Sequence, residues 1–367
     1  MKWQEKYCII LKTSDAAKDT LPALERIDTH MKTLFGNTPD GASAYLYTIT
    51  CGSMKAVLTD FGATLVQLHV PDSKGNTADV VLGFDSPAAY AASDAYLGAT
   101  VGRNANRIKG AAIVVNNKTY ALCQNDGVNS LHSGPNGYER RLWQVVQHEQ
   151  DRITFALHSP HLDQGFPGNA DIQVTYQLTS DSIVISYEGV SDQDTVFNMT
   201  NHSYFNLAGH NHPERAMEQT LCMPARFFTP ANAQCIPTGE KRPVNGTPMD
   251  FRMPKPLSQD IGADYEPLHL QNGYDHNFEV FCNPCATLAD PESGRSVSVF
   301  TDCPGIQIYT ANFTNGEGKD GQLYTPRCAV CLETQFYPDA IHNPEWPQPV
   351  VKAGEKYKSQ TTYQFSW

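Results

Sequence analysis

No apolar run in this 367-residue chain approaches the roughly 20 residues that a membrane span requires. The apolar stretch from Tyr7 to Leu11 is flanked by Lys2, Glu5, Lys6 and Lys12 and is too short for a signal peptide. Basic residues are scarce: 27 Lys and Arg stand against 39 Asp and Glu, a net charge of −12. Neutralising phosphates takes a basic stripe, and none is visible, so nucleic acid is excluded as a partner. An anionic membrane surface would be repelled for the same reason. The expected setting is cytoplasmic, with the ten cysteines as reduced thiols.

Metal-site patterns are thin as well. Two CxxC pairs occur, Cys282/Cys285 and Cys328/Cys331, but the gap between them is far longer than in compact zinc modules. No HExxH motif accompanies His202, His210 and His212. The reading is therefore no metal and no cofactor. Hydrophobic residues make up 40% of the chain, enough for a sizeable core and against wholesale disorder.

Residues 1–40 differ from the rest. Leu21, Leu24, Ile27, Met31 and Leu34 recur at helical spacing between Ser14 and Phe35, with Gly36 as a stop signal. The spacing predicts an N-terminal extension made mainly of one amphipathic helix. Helical periods are scarce beyond it; Pro87 to Ala92 and His212 to Gln219 read as short turns of helix. MKAVLTD, ATLVQLHV, DRITFALH, DIQVTYQL, SIVISYEGV and SVSVFTD are short β-branched and aromatic runs separated by turn chemistry such as Asp72-Ser73-Lys74-Gly75. AIVVNNKTYAL is a hairpin with Asn116-Asn117 at its turn, and Tyr357 to Trp367 is a closing strand. Without repeat or linker, residues 41–367 are expected to form a single all-β domain, a large antiparallel β-sandwich with 26 Gly and 24 Pro spent on turns.

Two dense runs of polar and aromatic residues stand out. TNHSYFNLAG carries His202 beside Ser203 and Tyr204, with Asn201 and Asn206 able to fix an imidazole tautomer or a loop. CLETQFYPDA places Glu333 in a β-rich run, facing opposite to Leu332. A carboxylate inside such a strand is costly unless paired or functional. Together they are the right types to give and take a proton on a hydroxylated substrate. VGRNANRIKG offers Arg103, Asn106 and Arg107; in an extended segment both arginines would share a face and could reach one cleft, against a plainer reading as arginines binding backbone carbonyls. His132 in NSLHSG, Asp275 in NGYDHNF and Gln307 in PGIQIYTANF are weaker candidates, Asp275 competing with a turn-capping role.

Taken in order, DVVLGF, VGRNANRIKG, NSLHSG, TNHSYFNLAG, IPTGE, NGYDHNF, PGIQIYTANF and LETQFYPDA resemble the aldose 1-epimerase (mutarotase) family, the galactose mutarotases in particular, from about Tyr45 to the C-terminus. The resemblance implies a β-supersandwich and cofactor-free interconversion of the anomers of a free hexose, with Glu333 as general base and His202 as general acid. It implies sugar contacts from Asn106, Arg107, His132, Asp275 and Gln307, with Ser203 and Tyr204 lining the same pocket. The expected partner is a small monosaccharide, acted on by a monomer by default. Ser133 departs from the pattern, standing where many members carry a second glycine. Competing classes are a non-catalytic sugar sensor, a glycoside hydrolase using Asp275 with Glu333, and an epimerase for a phosphorylated hexose.

Overall fold

The computed structural model describes residues 32–367. Three antiparallel sheets dominate. Lys32–Asn37, Ser43–Cys51, Met54–Thr59, Thr64–Pro71 and Thr77–Asp79 form a five-stranded meander in sequence order. The largest sheet has nine strands, centred on Ala170–Leu178, Ser182–Ser191 and the closing strand Lys356–Ser366. A six-stranded sheet runs Tyr204–Phe205, Val330–Gln335, Gly305–Tyr309, Asp275–Glu279, Phe227–Thr229, Arg242–Pro243.

Period-two alternation explains how these sheets meet. In Lys356–Ser366 buried and exposed residues alternate, sending Tyr363 and Phe365 inward and their neighbours to solvent. Ile172, Val174 and Tyr176 do the same on Ala170–Leu178. Against them lie Ile49, Leu58 and Leu65 from the meander and Phe205, Ile306, Ile308 and Leu332 from the six-stranded sheet, all in one core cluster. The Tyr363 hydroxyl donates to the Leu332 carbonyl at 2.8 Å, tying the last strand to the sheet that carries Glu333. The predicted strands between residues 54 and 190 and near 296 are all present. Asn116 and Asn117 turn the Ala112–Val115/Lys118–Ala121 hairpin at φ 51 and 60.

One expectation fails. The helix predicted over residues 14–35 enters the described region at Lys32, and there the chain is a strand paired antiparallel with Ser43–Cys51. A neighbouring strand satisfies the backbone donors and acceptors of Lys32–Asn37, and a bulge between Leu34 and Gly36, with Gly36 at φ 140, absorbs the misfit. Helical spacing of two or three apolar residues is weak against that pairing. The rest of the predicted helix, residues 14–31, lies outside the described residues. Pro87–Ala92 is a short α-helix and Pro213–Glu218 a 3₁₀ turn, close to where the sequence placed them.

A buried carboxyl flanks the sandwich near the cleft described below. Glu139 sits in the Tyr138–Arg140 turn; among the described residues neither of its carboxyl oxygens has a hydrogen-bond partner, and Arg140 Nε lies 3.5 Å away. Burial pushes its pKa up to about 7, against the pull of Arg140 and Arg141. A raised folded pKa contributes stability below the unfolded value, and that contribution is lost as pH rises through the folded one. Chemical denaturation of Glu139→Gln and the parent should therefore diverge by about 1.4 kcal/mol per pH unit from 4.5 to 7, in favour of the variant as pH rises. A pH-independent difference would show that Glu139 is already ionised in the fold.

Candidate active site

The six-stranded sheet has a second face, and strand register decides what it displays. Tyr204 pairs with Cys331, Cys331 with Tyr309, and Tyr309 with Asp275, forming one cross-strand row. One step along, Glu333 pairs with Gln307 and Gln307 with Asn277, forming a second. Between these rows Leu332, Ile308 and His276 point the other way, into the core or its margin. Polar and aromatic groups thus gather on one side because hydrocarbon is claimed by the other.

His202 reaches this face from the segment joining Thr200–Asn201 to Tyr204–Phe205. Its amide donates to the Ala99 carbonyl and its carbonyl accepts from the Gly98 amide, both at 2.9 Å. Gly98 has φ +65, and a Cβ there would lie 2.0 Å from the Leu65 carbonyl oxygen, so this anchor requires glycine. The imidazole stacks between Tyr96 and Tyr204 at centroid distances of 5.9 and 5.1 Å. Its Nε2 lies 3.5 Å from Glu333 Oε2, and its Nδ1 lies 3.7 Å from Cys331 Sγ.

Loops close the site. His132 stands edge-on to His202 at 5.3 Å. The Asn106 amide donates to His132 Nδ1 at 3.1 Å, so a neutral His132 carries its proton on Nε2. Burial, then His202 and Arg107, hold its pKa well below the ordinary value, keeping it neutral. Arg107 Nε donates to Asp126 at 2.8 Å, and Gln307 Nε2 donates to Asp275 at 2.6 Å. These groups surround a cleft of about 490 Å3 lined by Asn106, Arg107, His132, His202, Tyr204, Asp275 and Glu333, with Tyr96 and Tyr309 on its walls.

Both central groups are driven toward their uncharged forms. Burial pulls His202 down to about 4. Burial, and after it the Asp275 carboxylate, push Glu333 well above its ordinary range, with Arg107 opposing. One proton on this pair can be written as a carboxylic acid beside a neutral imidazole or as a carboxylate beside an imidazolium. The proton count is the same, and the pair titrates as a unit.

Seven of the nine candidates from the sequence thus line one cleft. Gln307 is not in its lining and meets it through Asp275. Ser203 is outside it too: its hydroxyl donates to Asn201 Oδ1, because the residue after His202 points away from the pocket. Asn201 and Asn206 hold loops rather than an imidazole, binding the carbonyls of Gly98 and of His212 and Cys328 respectively. The shared face expected for the two arginines is also corrected. The chain turns at Asn106, φ 60, and Arg103 is instead buried, donating to the carbonyls of Ser159, Pro167 and Gly168. Asp126, Tyr96 and Tyr309 were not singled out from the sequence, and Cys331 only as half of a CxxC pair. Tyr309 and Cys331 follow from period two once Gln307 and Glu333 are chosen; Tyr96, at φ 56, and Asp126 carry no local signal.

An antiparallel sandwich whose outer sheet face holds an imidazole and a carboxylate across a polar, aromatic-walled cleft defines a sugar-sized acid–base site. The family model for aldose 1-epimerase matches residues 45–364, and the chain belongs to that family. Among its relatives, a galactose mutarotase from Sus scrofa is 37% identical over 91% of this chain and 98% of its own length. An aldose 1-epimerase from Haemophilus influenzae is 38% identical over 90% and 98%. The structure of an aldose epimerase homologue from C. elegans superposes with a TM-score of 0.82 at 32% identity, covering 88% of this chain and 99% of its own. The protein is accordingly an enzyme, an isomerase, with a galactose mutarotase-like fold. Among the described residues no helix is long and apolar enough to cross a membrane.

The departure at Ser133 has a local remedy. Its φ is 74, in glycine's territory, and its hydroxyl accepts from the Asn104 amide at 2.7 Å while donating to the Asn104 carbonyl at 3.1 Å. This bridge replaces glycine's freedom and holds the His132 turn. Ser133→Ala loses the bridge and keeps the strain, so denaturant melts should show a loss of about 1–2 kcal/mol, whereas Ser133→Gly should cost clearly less. Equal losses in the two variants would mean the bridge and the backbone strain are unrelated.

Proposed function

We propose that the protein interconverts the α and β anomers of a free hexose, galactose or glucose, by ring opening and reclosure. The observation that carries this reading is His202 Nε2 standing 3.5 Å from Glu333 Oε2 on the floor of the cleft. The reaction removes a proton from the C1 hydroxyl and delivers one to the ring oxygen. The C1–O5 bond breaks, the aldehyde rotates about C1–C2, and closure on its other face inverts C1. Only protons and one ring bond move, so an acid and a base suffice.

Glu333 takes the hydroxyl proton and His202 gives one to the ring oxygen, their roles exchanging on closure. That requires the ionised form of a pair that burial favours uncharged. A C1 hydroxyl donating to the carboxylate and a ring oxygen accepting from the imidazolium stabilise that form without changing its proton count. His132 offers its Nε2–H to the oxygen that gains charge, assisted by Arg107. Asp275, steered by Gln307, accepts from sugar hydroxyls, Asn106 adds a two-way amide, and Tyr204 offers an aromatic wall. Among the described residues Arg107 is the sole Lys or Arg lining the cleft and is already paired with Asp126, which favours an uncharged sugar over a phosphorylated one.

Glu333→Gln and His202→Asn should each lower anomer exchange by about 10²–10⁴-fold with the melting temperature little changed, followed by polarimetry of freshly dissolved α-galactose or by NMR exchange. Near-parental rates in either variant would remove that residue from the mechanism.

A further inference from the structure

Cys331 has no part in the chemistry above, yet it shares the face of Val330–Gln335 with Glu333, two residues on. Its thiol is fully buried and lies 3.7 Å from His202 Nδ1. Among the described residues, His202, Cys331 and Glu333 form the one group whose potential metal-ligating atoms converge, one from each lying within 4.8 Å of the others. Among the described residues Glu333 Oε2 also has no hydrogen-bond partner. The two CxxC pairs contribute only Cys331 to this group.

We propose that His202, Cys331 and Glu333 constitute a binding site for a thiophilic divalent cation such as Zn2+, and that the bound ion inhibits the enzyme. One thiolate, one imidazole nitrogen and one carboxylate oxygen are a complete three-residue zinc set, leaving a fourth position for water. Tetrahedral zinc places such ligand atoms roughly 3.5 Å apart, so movements of about an ångström close the group onto the ion. The Cys331 proton, and any proton on Glu333, leave to solvent as the metal–ligand bonds form. Zinc is favoured over Mg2+ or Ca2+ because a thiolate and an imidazole are soft ligands that oxygen-seeking ions decline. The ion would occupy the very groups that give and take the proton. The binding claim stands on geometry alone; only the inhibition rests on the function proposed above.

The test titrates the protein with Cd2+ and follows the thiolate-to-metal charge-transfer absorption, beside anomer exchange with added Zn2+. Expected are a band reduced in Cys331→Ser relative to the parent, and inhibition of the parent that a chelator reverses. Cys331→Ser should need about 100-fold more Zn2+ for equal inhibition of its own rate. An identical band in Cys331→Ser, or Zn2+ that leaves the parent's rate unchanged or raises it, overturns the proposal. If that variant does not fold, Co2+ absorption of the parent decides: a tetrahedral, sulfur-bearing spectrum at one equivalent that His202→Asn abolishes supports the site, and one that His202→Asn leaves intact refutes it. A protein that binds Cd2+ through Cys331 but exchanges no anomers keeps the metal site and loses the mutarotase reading instead.

Discussion

The alternation of side chains along three strands governs this molecule's chemistry. Leu332, Ile306 and Ile308 bind the six-stranded sheet to the core, and that commitment forces Glu333, Gln307 and their cross-strand partners to the other side. A one-residue slip of Val330–Gln335 would bury the carboxylate in hydrocarbon and expose leucine to the cleft. Core packing therefore does more than stabilise the sandwich. It sets which face can bear polar groups, and the register with Gly305–Tyr309 and Asp275–Glu279 sets how they line up.

The groups added to that face come from short segments outside the sheet, held by main-chain hydrogen bonds, a side-chain bridge and an ion pair. Gly98 locks the His202 segment, the Ser133–Asn104 bridge locks the His132 turn, and Asp126 holds Arg107. Several of these supports use positive φ at non-glycine residues: Tyr96, Asn106, His132 and Ser133. Such conformations persist where the surroundings over-determine them, and their clustering around one cleft fits a site that sacrifices local backbone preference for placement.

The sandwich was legible in the chain because its strands are amphipathic at period two and its turns carry Asn, Asp and Gly in the right places; Asn116-Asn117 is the plainest case. Glu333 was conspicuous because a carboxylate amid strand-forming residues is expensive, and His202 because polar and aromatic residues crowd around it. Lys32–Asn37 was misjudged because a strand on the edge of a sheet is created by its partner, and a local helical rhythm says nothing of that partner. Arg103 and Ser203 were misjudged for a related reason. Which way they point depends on a turn at Asn106 and a bond to Asn201, and neither is encoded in spacing. Tyr96 and Asp126 were invisible because their importance is wholly tertiary.

A peptide N–H, that of residue 106, decides which nitrogen of His132 is the donor. Peptide groups do not ionise or change rotamer, so while the ring is neutral this piece of wiring does not draw on the side chain that residue 106 bears. Proline is the exception, since it has no N–H to give. The ring at 132 is thereby made a one-way contact, a donor through its other nitrogen and unable, while neutral, to accept.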